Sequence, residues 1–235
     1  VPHVPGTIQI AAHDGGEFNA YVALPSTGSG PGVLCIQEIF GINHAMRDIA
    51  ELWASKGYVA VVPDLFWRQE PGVDITDRTE AEWKKAFALF QGFDVALGVA
   101  DLKTTLAVMR AMPACTGKVG TVGFCLGGKL SYLMAAQSDA DCNVGYYGVG
   151  IQDLLDQAKD IRRPLMLHVA EADKFVPPEA QAAITKALSK NSHVTIHSYP
   201  GMDHAFARIG GQPYDEKNAT LANERTEALF QDSLA

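Results

Sequence analysis

No apolar run in this 235-residue chain approaches the length of about 18 residues that a membrane-spanning helix needs. The opening stretch, VPHVPGTIQIAAHDG, has no apolar core of the kind a secretory signal carries. Basic charge is also scarce: 19 Lys and Arg stand against 27 Asp and Glu, a formal net charge of −8. Nucleic acids and anionic membrane surfaces both require a basic face, so neither is expected as a partner. There is no C-x-x-C pair and no Cys/His spacing of a zinc site, so neither a metal nor another cofactor is expected. Of the four cysteines, Cys35 lies inside the apolar run Val33–Ile36 and Cys142 precedes another strand-like run; both read as small buried residues. Cys115 falls in a stretch, 113–117, that reads as a loop. Only Cys125 has a setting that suggests work, and the sequence predicts a reducing, cytoplasmic setting and a monomer. Internal repeats, low-complexity tracts and linkers are absent as well, so residues 1–235 read as one domain.

What is present is ordinary globular composition, 47% apolar and 20% charged, arranged as alternating strands and helices. Strands are expected near 7–11, 18–24, 33–37, 58–62, 118–123, 144–147, 165–169 and 194–199, the first two joined through Asp14-Gly15-Gly16. Helices are expected from an Asn43 cap to Gly57, then over 79–91, 94–111, 126–136, 152–159, 178–190 and from 215 to about 231. The later strands are continuous apolar runs. That pattern indicates an α/β fold with a mainly parallel central sheet and helices on both faces.

Residues 117–130 are the most informative. A β-prone run stops at Gly123, the core Gly123-Phe124-Cys125-Leu126-Gly127 follows with Gly128 behind it, and a helix begins at once. An abrupt strand-to-helix turn is the nucleophile elbow of α/β-hydrolases, here with Cys in the nucleophile position. The helix N-terminus behind Cys125 favours a thiolate. In parallel sheets chemistry gathers at the carboxyl ends of strands, and capable residues appear there in order: Glu38, Asp64, Cys125, the pair Glu171 and Asp173, then His204. The sequence of nucleophile, acid and histidine is the chain order of α/β-hydrolases. Among the seven histidines, His168 and His197 lie within strands and read as satisfied structural residues, whereas His204 sits in the loop past the last strand. Asp173 is preferred to Glu171 as orienting acid because it lies deeper in its loop, and Asp203 reads as a local turn-former.

Several segments together resemble the dienelactone hydrolase (carboxymethylenebutenolidase) family, in order and over essentially the whole chain. They are Gln37-Glu38-Ile39-Phe40-Gly41, the cysteine elbow, Tyr146-Tyr147-Gly148, Asp173-Lys174-Phe175-Val176-Pro177, residues 201–208 from Gly-Met-Asp-His to Arg208, and residues 221–226. The resemblance implies an α/β-hydrolase fold and a small lactone or ester substrate, opened through a thioester on a Cys125, His204 and Asp173 triad. It implies that Glu38 contacts the resting thiol, that Leu126 and Ile39 supply oxyanion-hole N–H groups, and that arginine, here Arg208, holds a substrate carboxylate.

One departure bears on the substrate. Where family members acting on dienelactone imply a second arginine and a tyrosine, this chain carries Trp83 and Phe87, which remove polar reach and add apolar surface. Arg78, Lys84 and Lys85 are the nearby cations that could compensate. The alternatives are a hydrolase of the same fold for a more apolar ester or lactone, or a non-catalytic small-molecule binder on this fold. A binder has no need of nucleophile, base and orienting acid together.

Overall fold

The computed structural model describes residues 6–235. Residues 1–5, at the start of the stretch read as lacking a signal core, lie outside the described residues. The chain forms two compact units that divide between Val119 and Gly120.

In the first unit, β1 (Gly6–Ala11) and β2 (Glu17–Ala23) form the expected antiparallel hairpin. Its turn uses positive φ at Gly15 and Gly16, which only glycine takes without strain. β2 runs antiparallel to β4 (Val59–Pro63), and β4 runs parallel to β3 (Gly30–Ile36). Every residue of β4 is buried. Between β3 and β4, α1 (His44–Ser55) starts where Asn43 Oδ1 accepts the Met46 N–H at 3.2 Å. Met46, Ala50, Trp53 and Ala54 form its buried face, while Ala45, Ile49 and Leu52 are half-buried. α2 (Glu80–Gln91) and α3 (Val95–Ala111) follow, capped by Thr79 and Asp94. β3 begins at Gly30, ahead of the strand expected near 33–37. Its glycines answer to packing rather than to a turn: a Cβ at Gly30 would lie 2.0 Å from the Gly57 carbonyl oxygen, and one at Gly32 would lie 2.8 Å from Val119.

β5 (Cys115–Phe124) carries the chain from the first unit into the second. It starts earlier than expected, so Cys115 opens a strand instead of lying in a loop. In the second unit β5, β6 (Asn143–Tyr146), β7 (Leu165–Ala170) and β8 (Val194–Tyr199) lie side by side, all parallel. Their carboxyl ends therefore share one edge, from which the chain segments bearing Cys125, Tyr147, Asp173 and His204 emerge. α4 (Leu126–Gln137), α5 (Pro178–Leu188) and α6 (Glu216–Leu234) are the helices of this unit. Residues Ile151–Asp160, expected as an α-helix, form a 3-10 helix with a kink at Leu154.

A buried polar network ties α6 to this sheet. Arg225 Nη1 donates to the Tyr199 hydroxyl at 3.1 Å, and that hydroxyl lies 2.8 Å from His168 Nδ1. The other ring nitrogen of His168 is 3.0 Å from Thr226 Oγ1, which lies 2.8 Å from the Tyr146 hydroxyl. Thr226 Oγ1 also reaches the Ala222 carbonyl at 3.0 Å, so both ring nitrogens of His168 meet a hydroxyl that is itself held by a further partner. Burial, with the nearby His197 and Arg225, holds the pKa of His168 well below its ordinary value, as a neutral ring requires. His168 is thus the satisfied core histidine that its place in a strand suggested.

Candidate active site

Cys125 is held at φ 56° and ψ −112°, between the end of β5 and the first turn of α4. A non-glycine residue adopts this geometry only under local constraint. The constraint is visible in the flanking glycines. A Cβ at Gly123 would come 1.9 Å from the Gly127 carbonyl oxygen, and one at Gly128 would come 2.6 Å from that of Tyr146. The Cys125 carbonyl accepts backbone N–H groups from Gly128 at 3.0 Å, Lys129 at 3.3 Å and Val149 at 3.4 Å, which locks the elbow to the loop after β6. The thiol is buried, only 8% exposed.

His204 Nδ1 lies 2.7 Å from Asp173 Oδ2, with both side chains buried. The second carboxylate oxygen accepts the Phe175 backbone N–H at 2.8 Å. With both oxygens engaged, Asp173 fixes the ring and leaves Nε2 for chemistry. Glu171 is exposed and Asp203 accepts the backbone N–H of His204, so the acid paired with the imidazole is Asp173. Burial works against the charged form of His204. The charge and hydrogen bond of Cys125 and the hydrogen bond and charge of Asp173 outweigh it, pushing the pKa up to about 10.

Other expected residues fall as follows. Leu126 is buried at the first position of α4. Arg208 is buried four residues beyond His204, its backbone N–H bonded to the Ala205 carbonyl at 3.0 Å. In the first unit Glu38 and Ile39 are buried just after β3. Gly41 of the same segment has φ +76°, and a Cβ there would lie 1.9 Å from the Val73 carbonyl oxygen. Trp83 and Phe87 stack on α2 with centroids 5.3 Å apart; Trp83 packs edge-on to Phe40 and donates its indole N–H to the Asp77 carbonyl at 2.8 Å. Of the cations that could compensate for a missing arginine, Lys85 is bonded to Glu70 at 2.7 Å, while Arg78 and Lys84 are exposed.

Three neighbours of the site were not singled out from the sequence. The rings of Tyr147 and Phe175 lie edge-on to His204, with centroids 5.0 and 4.9 Å away. The amine of Lys129, on the first turn of α4, is pushed down by burial and pulled up by the charges of Cys125 and Asp153. Both aromatic residues sit in quoted segments, Tyr-Tyr-Gly and Asp-Lys-Phe-Val-Pro, but nothing in a linear pattern says which ring meets the histidine. Among the described residues, His13, Asp14 and Asp101 form one group of potential metal ligands. The Arg68 guanidinium hydrogen-bonds both acids of that group at 2.8 Å, so they already have a counter-charge.

A family model described as the dienelactone hydrolase family matches residues 18–234. A protein of Azospirillum brasilense is 48% identical, covering 97% of this chain and 98% of its own. The carboxymethylenebutenolidase 1 of Cupriavidus pinatubonensis is 39% identical, covering 95% of each chain. A crystal structure from Klebsiella pneumoniae subsp. pneumoniae superposes with a TM-score of 0.86 at 28% identity, covering 98% of this chain and 99% of that one. The strand and helix order above is that of an α/β-hydrolase.

Proposed function

The chain belongs to the dienelactone hydrolase family and is a lactone or ester hydrolase, and from that premise we propose that it opens carboxylate-bearing substrates through a thioester on Cys125. The observation that carries this reading is the left-handed Cys125 at the head of α4, in the same unit as a buried His204 hydrogen-bonded to Asp173 at 2.7 Å.

The Cys125 thiolate attacks the substrate carbonyl carbon. Backbone N–H groups of Leu126 and Ile39 take the negative charge that develops on its oxygen. The carbon–oxygen bond then breaks as His204 Nε2–H gives its proton to the leaving oxygen, so a lactone opens to a hydroxyl tethered to the thioester. His204, now neutral, takes a proton from water, whose hydroxide attacks the thioester carbonyl. The carbon–sulfur bond breaks and the thiolate returns with a carboxylate product. Asp173 keeps the imidazole in the tautomer and orientation both steps need.

Glu38 serves as the gate. A carboxylate beside a thiol opposes its ionisation, so a substrate carboxylate that displaces Glu38 lets it take the cysteine proton and arms the nucleophile only when substrate is bound. Arg208 is the anion anchor, a planar fork suited to a carboxylate. A second reading, a more apolar ester or lactone, is favoured by one observation. Trp83 and Phe87 stack on α2 where two polar groups are implied for dienelactone, and Phe87 is exposed.

The test is a screen of lactones and aryl esters, each with and without a carboxylate, on the native enzyme and on Cys125→Ala. The proposal expects hydrolysis that prefers carboxylate-bearing members and disappears in Cys125→Ala with the fold intact; Cys125→Ser is expected to be weakly active. Native-like turnover in Cys125→Ala removes the nucleophile assignment.

A further inference from the structure

An isolated exposed phenylalanine needs no explanation. Phe175 differs because of what it touches. Its ring stands edge-on to His204 at 4.9 Å, yet 45% of the residue remains accessible. Tyr147 meets the same imidazole at 5.0 Å but is only 2% exposed, its ring packed among Tyr146, Phe124 and Phe206. Core packing therefore encloses Tyr147, whereas Phe175 keeps an accessible face beside the imidazole. The backbone of Phe175 is also fixed, because its N–H is bonded at 2.8 Å to Asp173, the carboxylate that holds His204. One acidic side chain thus sets both the proton-transfer ring and an accessible apolar ring beside it.

The reaction determines what part of a substrate arrives there. Nδ1 is committed to Asp173, so Nε2 must deliver the proton to the leaving oxygen, within hydrogen-bond reach of about 2.6–3.2 Å. The first carbons attached to that oxygen must then lie next to the imidazole, where the only accessible ring contact among the described residues is Phe175.

We propose that Phe175 is a specificity-determining residue that binds the alcohol side of the substrate, selecting esters and lactones whose leaving oxygen carries an apolar group. This rests on the assignment of His204 as the proton donor to the leaving group. The selection acts on the leaving group, whereas Arg208 acts on a carboxylate, so the two are separable with probes that share one acyl-side carboxylate and differ only in the alcohol.

The experiment compares the monoethyl, monobutyl and monohexyl esters of succinic acid, which share one acyl-side carboxylate and whose alcohols have similar acidity and differ in apolar length, on the native enzyme, Phe175→Ala and Phe175→Leu. Phe175→Ala keeps the backbone N–H that Asp173 accepts, so the triad geometry is retained. The native enzyme is expected to show kcat/KM rising with chain length. Phe175→Ala should lose about tenfold on the monohexyl ester, chiefly in KM, and stay within about twofold on the monoethyl ester, with Phe175→Leu between. The alkaline limb of the pH profile should not move. Equal losses on all three esters, a displaced alkaline limb, or an unchanged length dependence in Phe175→Ala would each overturn the proposal. Native-like turnover in Cys125→Ala would instead overturn the reading beneath it.

Discussion

The 2.7 Å contact between His204 and Asp173 has a consequence that a pH profile can read. Burial alone would hold the imidazole neutral, but Cys125 and Asp173 raise its pKa to about 10. A group raised above its unfolded value near 6.5 stabilises the fold fully below that value, and the contribution is lost as pH rises through about 10. Activity that needs the imidazolium as proton donor is expected to fall over the same alkaline range. Asp173→Asn removes one of the partners holding the proton, so its alkaline limb should move to lower pH along with a large loss of kcat; an unmoved limb would detach Asp173 from the proton donor. In the proposed mechanism Arg208 and Glu38 answer to substrate charge. Arg208→Ala should cost about 1.5–3 kcal/mol of transition-state binding for a carboxylate ester, the worth of a charge-assisted hydrogen bond. It should cost much less for the neutral methyl ester of the same acid. Glu38→Gln should slow acylation by the carboxylate ester selectively. Equal effects on both esters would make these two residues structural. At this scale the sequence was legible wherever chain order carried the information: elbow, acid and histidine could be read from strand ends. The contact of Phe175 with His204 could not, because it depends on which ring faces the imidazole across a loop, a matter of side-chain direction that no spacing encodes.

At the scale of elements, α6 is bound to β6, β7 and β8 through the His168, Thr226, Tyr146 and Tyr199 network. Thr226→Val keeps the shape and removes the hydroxyl, leaving Nε2 of His168 without its hydrogen-bond partner. A loss of about 1–3 kcal/mol is expected, read as a lower urea midpoint. His168 also sets an acid limit. Its folded pKa is depressed, so its contribution is fully present above the ordinary histidine value and is lost as pH falls through the folded one. An unchanged urea midpoint in Thr226→Val would show that water replaces the hydroxyl. Strand and helix positions were legible because apolar runs and caps at Asn43, Thr79 and Asp94 are local signals. The starts of β3 and β5 were not. Gly30 and Gly32 look like turn residues in sequence, and only the proximity of Gly57 and Val119 shows that they are glycines for lack of room. The 3-10 geometry of Ile151–Asp160 was equally hidden, since its apolar spacing also suits an α-helix.

For the whole molecule, β5 is one uninterrupted strand that begins in the first unit and ends in the second. We propose on that ground that residues 1–235 unfold as one domain. All three tryptophans, Trp53, Trp67 and Trp83, lie in the first unit, and Cys142 is buried in the second. Tryptophan fluorescence and the alkylation of Cys142, read by mass spectrometry, should therefore give coincident urea midpoints. Separated midpoints would make two domains of the chain. No helix among the described residues is long and apolar enough to cross a membrane.

Cys125 also sets the terms on which such a protein can change. At φ 56° a side chain is a burden that glycine would not carry, so the fold gains by discarding the one atom the proposed chemistry requires. Selection for endurance and selection for turnover therefore pull against each other at this position. A lineage relieved of its substrate would have a downhill path to a sturdier, silent descendant, recognisable by an intact Asp173 and His204 beside an elbow that has lost its sulfur.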